Sequence, residues 1–83
     1  MVSAISLRPS VREELARHGV ETGPEDTPAT LRERLNDVYV EEVRRLRERQ
    51  VRGEIPLREY ARHVADLKAR FPLLSLPLDL WDE

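Results

Sequence analysis

An all-α fold is predicted by three observations. Apolar residues recur at spacings of three and four along most of the chain, Pro and Gly fall between those stretches, and no repeat, low-complexity block or Gly/Ser linker divides the sequence. The predicted architecture has three helices, at about residues 10–18, 28–52 and 56–71. Helices 2 and 3 form a long antiparallel hairpin, helix 1 packs across their apolar seam, and an extended apolar C-terminal tail closes the open side. Residues 1–83 read as a single helical domain, with 1–9 an N-terminal extension and 72–83 a docking tail.

The first helix opens at Ser10-Val11-Arg12-Glu13, the pattern of a capping box in which the serine hydroxyl and the Glu13 carboxylate each satisfy a first-turn amide. Pro9 just ahead argues against an earlier start. Val11 and Leu15 share one face, and Gly19 follows His18 where a left-handed residue ends a helix, with Val20 placed to cover Leu15. Gly23-Pro24 and three acids then mark a loop, and Thr27-Pro28 supplies an N-cap followed by proline at the first helical position.

Helix 2 carries Leu31, Leu35, Val38, Tyr39, Val43 and Leu46 on one stripe, with no breaker before Gly53. Its opposite face holds Glu33, Arg34, Asp37, Glu41, Arg44, Arg45, Glu48 and Arg52, and Glu41/Arg45 and Glu48/Arg52 stand in the favourable acid-first order. That face reads as solvated. Pro56 opens helix 3, whose stripe is Leu57, Tyr60, Ala61, Val64, Leu67 and Phe71, and Pro72 ends it. In the tail, two prolines forbid a helix interior, and Leu74, Leu76, Leu78 and Leu80 alternate as in an extended strand.

Composition narrows the function. With 83 residues, 40% of them hydrophobic and 5% aromatic, the chain buries only about 60% of its unfolded surface. Its core is thin, and a partner subunit would help it. Fourteen basic against sixteen acidic residues give a net charge of -2, which excludes a strongly basic binder. The absence of cysteine removes a disulfide framework, a thiolate nucleophile and a cysteine-built zinc site. Met1 to Leu7 lacks a basic leader region and no run approaches about 18 apolar residues, so a cytoplasmic location with no membrane partner is the expectation.

From Ser10 to Tyr39 the chain resembles the helix, extended loop, helix motif of the LEM and SAP families. The residues that carry the likeness are Arg12-Glu13-Glu14-Leu15 with Gly19 after them, Gly23-Pro24 in the loop, and Thr30-Leu31-Arg32-Glu33-Arg34-Leu35. The resemblance implies presentation of a helix end and loop to DNA or to a small DNA-bridging protein. From Leu46 to Phe71 the chain resembles the SHOCT helical hairpin, through Gly53, Ile55, Glu59 and Tyr60. That resemblance implies a scaffolding or oligomerising role.

Candidate chemistry is sparse. Glu59, His63 and Asp66 lie within two turns of helix 3, but beside Arg58, Arg62 and Arg70 they read as a solvated ion-paired face, not a metal site. His18, at a helix C-terminus, reads as a structural cap. Two distant histidines and four serines in capping or flexible positions make no triad, so no catalytic, cofactor-binding or metal residue is assigned and the chain reads as a non-enzyme. Residues 29–52 carry seven basic and five acidic side chains, a local net of +2, with the arginines spread around the helix and not gathered on one face.

Two features point to protein contacts. Glu42 and Arg49 fall at angles within the apolar stripe of helix 2, either as an edge pair whose stems cover the core or as a polar contact fixing register across a dimer of long helices. The tail concentrates Leu74, Leu76, Leu78, Leu80 and Trp81, with Trp81 the expected anchor, whether on its own chain or on a neighbour. The predicted interaction residues are therefore Tyr39, Glu42, Leu46, Arg49, Leu74, Leu76, Leu78, Leu80 and Trp81. The expected role is a small interaction or self-association module, with a homodimer or another protein as partner and no cofactor. Nucleic-acid association through the helix, loop, helix motif is the alternative.

Overall fold

The structure is a computed structural model that describes residues 7–82. Three helices, α1 (Pro9–Arg17), α2 (Pro28–Val51) and α3 (Leu57–Ala69), are followed by two 3-10 turns, Pro72–Ser75 and Leu78–Leu80. α2 and α3 lie against each other as the predicted hairpin, and the described residues contain no strand, only an isolated bridge between Leu7 and Asp82.

Each helix end has a local cause. α1 starts one residue earlier than its serine suggests: Arg8 is the N-cap, with no side-chain cap bond, and Pro9 is the first helical residue. The predicted Ser10/Glu13 capping box therefore does not form. A proline at the first position needs no amide partner and comes with a helical φ, so Pro9 begins the helix and does not block it. At α2 the sequence signal holds, and Thr27 and Thr30 make a reciprocal box. The Thr27 hydroxyl accepts from the Thr30 amide at 3.2 Å, and the Thr30 hydroxyl accepts from the Thr27 amide at 2.9 Å.

α1 and α2 end in the same way. Gly19 and Gly53 adopt φ of 75° and 84°. The Val20 amide reaches back to the Leu15 carbonyl at 2.9 Å and the Glu54 amide to the Arg49 carbonyl at 2.9 Å. These are Schellman motifs, which only glycine enters without steric cost. Helix 3 is shorter at both ends than predicted, with Pro56 as its N-cap and Arg70 as its C-cap.

The tail departs from the extended conformation its alternation suggested. Pro72 and Pro77 pre-set the φ that opens a tight turn, and bonds from Leu74 to Phe71 (3.1 Å), Leu76 to Leu73 (3.0 Å), Leu80 to Pro77 (2.9 Å) and Trp81 to Leu78 (3.0 Å) close two 3-10 turns. The leucine row consequently does not share one face. Leu73 and Trp81 are buried, Leu74, Leu76 and Leu78 are half-buried, and Leu80 is exposed.

The core gathers Leu7, Val11, Leu15, Val20, Leu31, Leu35, Leu67, Phe71, Leu73 and Trp81. Of the predicted N-terminal extension, Leu7 to Pro9 belongs to the fold and residues 1–6 lie outside the described residues. The Arg8 amide donates to the Trp81 carbonyl at 3.0 Å, which ties the start of α1 to the end of the tail. All of these groups lie toward one end of a body measuring 54 × 18 × 16 Å. α1 and the tail cover only the first part of α2, so Leu31 and Leu35 are its only buried residues, while Val38, Tyr39, Val43 and Leu46 are half-covered. Beyond them α2 and α3 run on as a two-helix arm. Ile55 is buried under its turn, but Leu57, predicted on the apolar stripe of helix 3, is 71% exposed.

Candidate functional site

Two open grooves flank α2, and six of the nine predicted interaction residues fall in or beside them or, with Leu80, on the exposed part of the tail. On one side, α2 and α3 leave a groove whose floor is Leu46 and Leu67 and whose rims carry Glu42, Arg45 and Arg49 opposite His63, Asp66 and Arg70. The structure thus brings Glu42, Leu46 and Arg49 of the predicted set together. Glu42 and Arg49 do not pair with each other: Glu42 faces Arg45 at 3.6 Å, and Arg49 faces Glu54 at 3.3 Å across the Gly53 turn. Both acids are half-exposed or close to it, so these contacts are weak and exchangeable. Arg52, expected beside Glu48, turns instead to Glu54 at 2.9 Å. Its hydrogen bond, with Arg49 adding to it, holds the Glu54 carboxyl below its ordinary pKa.

The remaining predicted residues lie elsewhere. Tyr39 sits against the core with its ring edge-on to Phe71, centroids 5.4 Å apart. Trp81 is fully buried in its own chain, and its indole N–H donates to the Leu76 carbonyl at 3.2 Å. A tryptophan so placed gives its area to intramolecular packing. Leu74 and Leu78 lie on the far side of α2, beside Ala29, Glu33, Asn36 and Asp37, where they line a second, open groove. Leu76 packs on the core, and Leu80 stays 41% exposed.

Two apolar residues on α2 escaped the sequence reading. Val40 is 44% exposed and Val51 is 70% exposed, both on the charged outer face of the helix. The available signal was their position: an aliphatic residue amid charges, off the stripe of Leu31, Leu35 and Leu46.

Elsewhere the polar chemistry is structural. Asp26 receives two hydrogen bonds from Arg34, at 2.7 and 2.9 Å, and one from the Gly23 amide at 2.7 Å. The guanidinium bonds and then the amide hold its carboxyl below the usual aspartate range. The loop is thereby strapped to α2. Glu59 turns to Arg62 at 3.6 Å, and among the described residues no group of three or more His, Asp or Glu is placed to hold a metal ion. No helix among them is long and apolar enough to cross a membrane.

No family model, curated protein or solved structure matches this chain.

Proposed function

We propose that the chain is a non-enzymatic protein-interaction or self-association module, working in the cytoplasm. The observation that carries this reading is the half-covered arm. Scattered exposed aliphatics are normal on any surface, but here Val51 and Leu57, the two most exposed, stand either side of the turn that joins α2 and α3, beyond the residues that pack on the core. A two-helix hairpin buries only one side of each helix, and a further layer would complete it. The resemblance of Leu46 to Phe71 to an oligomerising hairpin points the same way. Molar mass by light scattering, measured over a hundredfold range of chain concentration, tests it. Growth toward a multiple of 9.7 kDa supports self-association, and a constant monomer mass removes that half of the reading.

A second reading, nucleic-acid association, is favoured by charge on the same arm. From Arg44 to Arg62 seven arginines face three glutamates, a local excess of +4 in a chain of net -2. Phosphate contacts of that kind make affinity fall steeply with salt. Binding of a labelled duplex at low salt that disappears at high salt would support it; equal retention of a neutral dye-labelled control would count against it.

A further inference from the structure

We propose that the outer face of α2 is a two-fold docking surface for a second copy of this chain, with the helices antiparallel and the symmetry axis at Val40. The proposal deepens the self-association reading above by assigning the surface that performs it.

The face runs Ala29, Glu33, Asn36, Val40, Arg44, Arg47, Val51, and every one of these residues is exposed. At 100° per residue they fall within a band about 80° wide, opposite the buried Leu31 and Leu35. Their spacing is four, three, four, then four, three, four, so the stripe reads the same from either end about Val40. Each half is an eleven-residue repeat, whose period of about 3.67 matches a nearly straight α-helix. Two such helices can stay in contact along the whole face, about 33 Å, with little supercoiling.

The chemistry is as symmetric as the spacing. Laid antiparallel on a second copy, Glu33 faces Arg47, Asn36 and its neighbour Asp37 face Arg44, Val40 faces Val40, and Ala29 faces Val51. Within the stripe Glu33 meets Arg47, and Asp37 at its edge supplies the acid for Arg44, and each contact occurs twice as a two-fold axis requires. A parallel arrangement would set like against like.

The chain itself leaves these groups available. Among the described residues Glu33, Asp37 and Arg47 form no ion pair, and Arg44 has only an intrahelical contact with Glu41 at 3.1 Å in which both side chains are substantially exposed. Val40 and Val51 are the two large aliphatics of α2 left in water. The tail adds apolar ground at the right place, because the groove beside Ala29 and Glu33 has Leu74 and Leu78 in its wall. Val51 of the second copy arrives at the mouth of that groove.

The test is charge reversal with restoration. Dissociation constants are measured by sedimentation equilibrium for the full chain and for Glu33→Arg, Arg47→Glu and the double variant, with circular dichroism confirming helix content. The wild-type chain should dimerise, with its dissociation constant rising about tenfold or more between about 50 and 500 mM salt. Each single reversal places like charges together and should weaken the dimer about tenfold, and the double variant should recover to within about threefold of wild type. Because the chain has no cysteine, Val40→Cys gives a second readout: mild oxidation should link two copies through position 40 far faster than a Glu48→Cys control. A dimer that ignores both reversals, or equal cross-linking at both positions, overturns this face while leaving self-association standing. A wild-type chain that stays monomeric overturns the face and the self-association reading together, leaving only capture of a different protein.

Discussion

The imidazole of His18 lies flat on the ring of Phe71, centroids 4.0 Å apart and planes 16° from parallel, while its Nε2 hydrogen-bonds the Arg70 carbonyl at 2.7 Å. One side chain thus joins the end of α1 to the end of α3. The stack covers an aromatic at the rim of a thin core, and the polar contact satisfies a carbonyl left open where α3 stops.

Replacing His18 with alanine removes both contacts at once. The stack and the hydrogen bond are each worth about 1 kcal/mol, so His18→Ala should lower unfolding free energy by about 2 kcal/mol. His18→Phe keeps the stack and should lose about half as much. Urea unfolding followed by helical signal checks both, and equal losses in the two variants would show that stacking contributes nothing.

Trp81 is where the tail is fastened. It is fully buried and bonded to the Leu76 carbonyl, so Trp81→Ala should cost about 3–5 kcal/mol. A chain of this length has a total stability of only about 4–12 kcal/mol, so the variant should lose a large share of it and melt far below wild type. Trp81→Phe retains most of the apolar area and should fold. The same reasoning predicts that a chain ending at Phe71 does not fold, since Leu73 and Trp81 both leave the core. Thermal denaturation of the three forms tests the tail's structural role, and a stably folded truncation would contradict it.

The helices were legible because their signals are local. Thr27-Pro28, Gly19 and Gly53 each act within one turn, and the spacing from Leu31 to Leu46 suits only a helix. The tail was less legible, because alternating leucines fit a strand while Pro72 and Pro77 fit turns. The prolines prevailed, since an isolated terminal strand has no neighbouring ladder to satisfy its backbone. Exposure of Leu57 was hidden for a different reason. The covered face of α3 runs through Tyr60, His63, Val64 and Leu67, and Leu57 and Ala61, both predicted on the stripe, lie about 80° and 120° round the helix from Leu67 and are exposed. The outer face of α2 is legible only as solvated from its sequence, because acid-first i,i+4 spacing fits intrahelical pairs, whereas among the described residues Glu33, Asp37 and Arg47 form no ion pair.

Asp26 should make the loop acid-sensitive. Arg34 and the Gly23 amide depress its carboxyl pKa in the folded chain, so the folded state prefers the carboxylate more strongly than the unfolded state does. The resulting stabilisation is complete above the ordinary aspartate value of about 3.9 and is lost as pH falls through the lower folded value. Asp26→Asn should therefore melt below wild type at neutral pH, and the two curves should converge on acidification. Glu54, depressed by Arg52 and Arg49, has the same sign. Melting temperatures from pH 2 to 7 check this, and a gap that widens in acid would contradict it.

Thr27 and Ser10 offer a paired test of how the helices begin. Thr27 accepts the Thr30 amide and receives a bond in return, so Thr27→Ala should destabilise the chain by about 1 kcal/mol. Ser10 is exposed inside the first turn, caps nothing and follows a proline that already starts the helix. Ser10→Ala should change stability by less than about 0.5 kcal/mol in either direction, because alanine is the better helix former and no hydrogen bond is lost. Parallel urea titrations separate the two positions. Equal losses would mean that α1 starts at its serine after all, with Pro9 outside the helix.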